Sequence, residues 1–315
     1  MSQSNDKIGV LVMSYGTPKS MDDIESYYTH IRRGNPPTPE LLAELKGRYE
    51  AIVGGVFPLR ENTDGQVAGL QDKLEQLAPG KFVCYQGLKH ASPYIEDGVE
   101  AMAADGIKRA VGIVLAPHYS SMSVGGYLKR AKAKAEERGI ELAGVESYHL
   151  HPKLIEALTE RVRNGLAKLD RTSGGATPVK VLFSAHSLPA KINELGDPYE
   201  RQLLETSEAV AGRAGVKDWQ FTWQSAGRTK EPWLGPDILE TLEKLSAEGY
   251  KGVLVAPVGF VSDHLEVLYD LDIEAKQAAA DLGMALERIE MLNRDPLYME
   301  TLAESVEEAA ATLKA

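Results

Sequence analysis

The 315-residue chain has a single cysteine, Cys84, set in an apolar stretch. One thiol excludes an intramolecular disulfide and any cluster held by several cysteines, an iron–sulfur cluster included. No run of about 18 apolar residues occurs, so no membrane-spanning helix is expected. Positive charge is scarce: 35 Lys and Arg against 46 Asp and Glu give a net charge of −11 and a pI near 5.2. That balance argues against nonspecific nucleic-acid binding and against a polybasic membrane patch. The start, MSQSNDKIGVLVMSYG, lacks the charged head, apolar core and cleavage site of a signal peptide. A soluble, reduced, cytoplasmic protein is the expectation. Phosphate-binding signatures are also missing, both Gly-x-Gly-x-x-Gly after the first strand and a Walker-type loop. Ser184 and Ser187 are not part of a Gly-x-Ser-x-Gly elbow, which removes the usual support for a serine hydrolase.

What is present is alternation. Short apolar runs predict strands at 8–13, 81–85, 110–116 and 142–146, then at 179–185, 220–223, 252–256 and 287–291. Helical spacing lies between them, at 21–30, 66–77, 94–104 and 126–138, then at 198–214, 236–247, 264–282 and 296–313. Strand alternating with helix predicts parallel sheets built from βαβ units, an α/β fold. The halves echo one another: LVMSYGTP with LFSAHSLP, and VLAPHYSSMSV with LVAPVGFVSDHLEV. Two similar domains follow, each a four-stranded parallel sheet flanked by helices, with a cleft between them. They divide as residues 1–155 and 156–315 across a Gly/Thr/Ser-rich linker near 150–178, the last helix crossing back onto the first domain. One long doubly wound sheet is the alternative.

The stretch PVGFVSDHLEVLYDLDIE, 257–274, carries the strongest chemical signal. Glu266, Asp270 and Glu274 are spaced i, i+4, i+8 and stack on one helix face. Between Lys251 and Lys276 no basic residue offsets them. They form either a solvated acidic face or a row of oxygen acceptors for a divalent cation or for protons. His186, in Ser-Ala-His-Ser-Leu-Pro, follows a strand and is placed for ligation or proton transfer. One imidazole with one carboxylate is an incomplete ligand set, suited to a metal that is released rather than kept. Opposite charge comes from the first half, where Arg32 and Arg33 precede a Pro-rich loop and Lys46, Arg48 and Tyr49 follow. In an acidic chain such a basic loop fits an anionic ligand, because guanidinium forks match carboxylates; charge pairing at a helix C-terminus is the plainer account.

LVMSYGTP, YYTHIRRG, GRYEAI, GLKHASPYIEDGV, VLAPHYSSMSV, SAHSLP, WQSAGRT with PWLGPD, and PVGFVSDHLEVLYDLDIE occur in order over nearly the whole chain. Together they resemble the ferrochelatases. Tyr15 in Tyr-Gly-Thr-Pro and the single cysteine resemble the soluble coproporphyrin enzymes of monoderm bacteria in particular. The resemblance implies two Rossmann-like domains and insertion of ferrous iron, the substrate metal, into coproporphyrin III to give coproheme. It implies that His186 and Glu266 are catalytic and ligate iron across the macrocycle centre, and that Tyr15 becomes an axial ligand of the product. Arg32, Arg33, Arg48, Tyr49 and Tyr127 contact porphyrin carboxylates on this reading, and Lys89 and His90 border the pocket. Asp270 and Glu274 continue from Glu266 and hold a hydrated cation such as magnesium. Gly54-Gly55-Val56-Phe57-Pro58, preceded by an extra Val53, stands where the family has Gly-Gly-x-Ser-Pro. Phe57 thus replaces a hydroxyl that contacts a propionate, and altered packing of one porphyrin edge is expected. A monomer is expected, with haem-pathway enzymes or an iron donor as partners. Protoporphyrin IX is the alternative substrate. Cobalt or nickel chelatases, which usually present two His to the metal, and a noncatalytic porphyrin carrier are the other readings.

Overall fold

The computed structural model describes residues 7–52, 54, 57–227 and 229–314. All seven residues of β1 (Ile8–Ser14) are buried, the uninterrupted apolar run of a strand covered on both faces. After it come α1 (Ile24–Ile31), α2 (Pro39–Ala51), α3 (Pro58–Leu77), β2 (Phe82–Leu88), α4 (Ile95–Ala104), β3 (Arg109–Val114), α5 (Val124–Glu137) and β4 (Glu141–Gly144). The strands form one parallel sheet in the order β2-β1-β3-β4, with Ile8 in register with both Phe82 and Arg109. Helix α4 lies close on β1: a Cβ at Gly9 would come 2.6 Å from the Met102 sulfur. Leu11, Met13, Val99, Met102 and Leu128 belong to the core beneath α4 and α5.

The second run comprises α6 (Pro152–Ser173), β5 (Val179–His186), α7 (Lys191–Glu194), α8 (Tyr199–Ala214), β6 (Trp219–Gln224), α9 (Ile238–Ala247), β7 (Gly252–Ala256), a π-helix (Glu266–Ala275), α10 (Lys276–Asp281) and β8 (Ala285–Arg288). Its sheet is again parallel, ordered β6-β5-β7-β8. The expected α/β architecture of two four-stranded parallel sheets is therefore present, and the two sheets share one strand order. In each, the order reverses beside the first strand of the set. Ligands of open α/β sheets bind beyond the strand C-termini at such a reversal.

The chain falls into two compact units, one running to Tyr148 and resuming at Asn293, the other His149–Leu292. The closing helix α11 (Pro296–Ala310) packs on α3 and β3 of the first unit. The Tyr298 and Tyr148 hydroxyls meet at 3.0 Å, Lys73 pairs with Glu300 at 3.1 Å, and Gln66 donates to the Asn293 carbonyl at 2.7 Å.

Several details depart from the sequence expectations. The division lies ahead of α6 rather than at 155/156, because the apolar face of α6 packs on α8, β7 and β8. Most of the expected linker is that 22-residue helix, ended by Gly174 at φ +66°. β8 lies at 285–288 rather than 287–291, and α2 was not anticipated. The helix expected over 264–282 is π-helical through Ala275 and α-helical only afterwards.

Candidate functional site

In the second unit the candidate residues sit at the sheet reversal. His186 is the last residue of β5, and β7 ends at Ala256 with the Pro-Val-Gly-Phe turn following. That turn is pressed onto the end of β5. Gly259 N–H donates to the Ser184 carbonyl at 3.1 Å, and a Cβ on Gly259 would stand 2.3 Å from the Ala185 Cβ. Only glycine allows that approach.

The Glu266 carboxylate lies between two imidazoles. Oε1 is 3.5 Å from His186 Nε2, and Oε2 is 3.5 Å from His264 Nε2. Both rings are oriented from behind: His186 Nδ1 bonds the Ser187 carbonyl, and His264 Nδ1 bonds the Ser262 carbonyl at 3.0 Å. A carbonyl only accepts, so Nδ1 carries the proton in each ring, and Nε2 of a neutral ring offers its lone pair to the carboxylate. Lone pair facing carboxylate is stable only with a proton or a cation between them. Burial, the largest single influence, lowers the His186 pKa, but the charge and hydrogen bond of Glu266, the Ser187 carbonyl and Asp270 together outweigh it and raise it to about 9. Burial would raise Glu266, yet His186 and then His264 hold it well below the usual carboxylate range. Without a metal the pair holds a proton.

Asp270 is buried and accepts from the Ser225 hydroxyl, just beyond β6. Ser225 has φ +59°, a left-handed conformation unusual for a non-glycine residue. Gln224, held by Ser184 at 3.0 Å, donates to the Glu266 carbonyl at 3.3 Å. Among the described residues, no group of three or more His, Cys, Asp or Glu is arranged to hold a metal ion.

The first unit gathers cations and rings. Tyr15, 42% exposed, follows β1, and its ring centroid lies 4.6 Å from that of His90, just after β2. The Lys89 ammonium stands 5.9 Å from the Tyr15 ring centroid and 5.0 Å from that of Tyr127. His90 Nδ1 meets His30 Nδ1 at 3.0 Å, joining the C-terminal turn of α1, which leads into Arg32 and Arg33, to this group. Burial, then Arg130 and Arg33, lowers the Lys89 pKa. Burial, then Lys89, lowers His90 to about 3, so His90 is neutral. Arg130 is itself paired with Glu96 at 2.7 Å, while the cations around Lys89 make a setting that an anionic guest would relieve. Arg32 stands 5.6 Å from the Tyr28 ring centroid, and Arg33 takes φ +57°.

Arg48 pairs with Glu44 at 3.7 Å. Tyr49 is buried, 3.3 Å from the Thr17 hydroxyl, and its ring meets Phe57 at 4.8 Å. Phe57 thus fills space against Tyr49; Val53, Gly55 and Val56 of the altered motif lie outside the described residues.

The family model described as ferrochelatase matches residues 7–310. The coproporphyrin III ferrochelatase of Oceanobacillus iheyensis is 48% identical over 302 residues, covering 95% of this chain and 96% of that one. That of Bacillus subtilis is 46% identical over 303 residues, covering 95% and 97%. This chain belongs to the ferrochelatase family. A solved structure of SirB from Bacillus subtilis with Fe3+ shares the fold of this ferrochelatase-family chain, at a TM-score of 0.60 and 12% identity over 97% of this chain and 96% of that one. Among the described residues, no helix is long and apolar enough to cross a membrane.

Sequence reasoning passed over three members of these clusters. His264 stands two residues before Glu266, and its ring lies 3.5 Å from the Glu266 carboxylate. Ser225 carries no signal in the sequence and His30 reads only as the start of the basic stretch with Arg32 and Arg33, since their partners are 45 and 60 residues away in sequence.

Proposed function

We propose that this chain inserts ferrous iron into coproporphyrin III, releasing two pyrrole protons and giving Fe-coproporphyrin III. The observation that carries this reading is the Glu266 carboxylate flanked by His186 and His264 at the reversal of the second sheet. Metallation needs a site that binds a divalent cation, accepts protons, and then lets the metal go. An open set of one carboxylate and imidazoles has that character, where a closed tetrahedral set would retain the ion. His186 enters the reaction protonated, so its proton leaves first, through Glu266 toward the Asp270–Glu274 row. The freed Nε2 then either holds iron or takes a pyrrole proton, one role at a time. The two row carboxylates supply oxygen donors of the kind a hydrated magnesium ion takes.

In the first unit, Arg32, Arg33, Arg48 and Lys89 take the propionates, with Tyr49, Tyr127 and His90 bordering the ring. Tyr15, exposed beside His90, meets the opposite face of the macrocycle and ligates the product iron. The macrocycle is held by its propionate rim on this reading. Binding energy gained at its rim bends it and aims a nitrogen lone pair at the incoming metal.

Anaerobic incubation with ferrous iron and either coproporphyrin III or protoporphyrin IX, followed by absorbance, tests the proposal. Conversion of coproporphyrin to its iron complex is expected, and it should stop in His186→Ala while porphyrin binding persists. No conversion of either porphyrin by the unaltered protein would overturn it. A second reading, insertion of cobalt or nickel, gains from His264, which gives Glu266 a second imidazole neighbour. Competition among the three metals separates the readings.

A further inference from the structure

The π-helix raises a question that the metal-handling residues do not answer. Ten consecutive π residues are rare, since π geometry generally appears as a single turn within an α-helix. Here α geometry bounds it: Leu268 N–H bonds the His264 carbonyl at 2.9 Å on entry, and α10 continues from Lys276. The register has consequences for the carboxylates. With about 4.4 residues per π turn against 3.6 per α turn, each residue advances about 18° less. Relative to Glu266, relaxation to an α-helix would turn Asp270 by roughly 75° and Glu274 by roughly 145°. Something has to hold the less stable register.

Arg288, the last residue of β8, is placed to do so. Its Nε and Nη2 each reach an Asp272 carboxylate oxygen at 2.8 Å, a two-pronged pair to the middle of the π-helix. Nη2 also lies 3.2 Å from Asp263 Oδ1, beside His264, and Nη1 donates to the Ile289 carbonyl at 3.0 Å. The Arg288 side chain is 13% exposed. One rigid guanidinium on a sheet strand therefore ties down both the loop that carries His264 and the helix that carries Glu266, Asp270 and Glu274. Stability alone gives little reason for this arrangement, because well-packed apolar groups often replace a buried ion pair without loss.

We propose that Arg288 is a positioning residue for metal insertion: ion-paired with Asp263 and hydrogen-bonded to Asp272, it holds the π register that aligns the carboxylate row with His186. The inference rests on the reading of that row as the metal-handling element. The test compares unaltered protein with Arg288→Met, Arg288→Lys and Asp272→Asn. In Arg288→Met, kcat/KM for ferrous iron should fall about tenfold to a hundredfold, the usual effect of losing a residue that orients metal ligands. Coproporphyrin affinity, read by fluorescence quenching, should not change. Amide exchange should quicken across residues 266–275 and not across α9. Arg288→Lys, which keeps the charge without the fork, should lie between. Normal iron kinetics in a folded Arg288→Met protein would overturn the proposal, as would an equal loss in porphyrin affinity. Should the Met variant not fold, Asp272→Asn cuts the same pair from the other side, and normal iron kinetics there would overturn it equally. Failure of the unaltered protein to insert iron would instead sink the functional reading on which the proposal rests.

Discussion

Replacing Glu266 by Gln keeps the side chain's size and removes its charge, and the consequence falls on His186. Burial pulls the His186 pKa down, and the Glu266 charge is the main force that raises it to about 9. In Glu266→Gln the Ser187 carbonyl and Asp270 remain, and burial is otherwise unopposed. The pKa should fall by about 2.5 units, to the ordinary imidazole value of about 6.5. At pH 7 the protonated fraction of the ring then drops from about 99% to about one quarter. Titration of the His186 ring protons by NMR reads this directly. The same pair predicts how stability follows pH. A pKa raised on folding contributes stability that is complete below the unfolded value of about 6.5 and is lost as pH rises through about 9. The depressed Glu266 contributes stability present above about 4.5 and lost as pH falls below it. Denaturant midpoints of the unaltered protein should therefore decline between pH 6.5 and 9, and the variant should lack that decline. A His186 that still titrates near 9 in Glu266→Gln would refute the assignment of its proton to this carboxylate.

Arg32→Leu should weaken coproporphyrin binding about tenfold, the value of one charge-assisted hydrogen bond, with iron kinetics at saturating porphyrin preserved; an unchanged titration removes Arg32 from the anion site. Gly259→Ala forces a methyl group against Ala185, where the approach is already too short for any Cβ. It should cost about 2 kcal/mol in denaturant unfolding and slow iron insertion, since the turn leads into the segment that carries Glu266. A variant of normal stability and activity would show that the turn does not position Glu266.

The fold was largely legible because its signals are local. Strands buried on both faces read as unbroken apolar runs, and β1, with all seven residues buried, is the clearest case. Errors came where local pattern and long-range packing part. The segment 152–173 reads as part of a linker because of its Gly-rich end, yet its apolar face docks on β7 and β8. The i, i+4 spacing of Glu266, Asp270 and Glu274 is blind to α against π geometry, because both keep such residues on one side of the axis. What distinguishes them is Arg288, far along the chain. The contacts of Ser225 and His30 were illegible for the same reason, each made with a partner on another element. His264 was legible and overlooked: the sequence places it beside Glu266.

The shared strand order of the two sheets explains how one plan supports two chemistries. In both units the first strand ends at the reversal, at Ser14 leading into Tyr15 in one and at His186 in the other. In both, the second strand delivers the neighbouring residues: Lys89 and His90 beside Tyr15, and Ser225 on Asp270 behind the Glu266 row. The difference lies in charge. Lys89 and His90 have pKa values pressed down by burial and by surrounding cations. His186 has its pKa pulled up by carboxylates. On the proposed reading, the propionates of a porphyrin would meet the first environment and its pyrrole protons the second. Exchange of charge between the copies, for instance Lys89→Glu, should accordingly abolish porphyrin binding while leaving the His186 titration near 9.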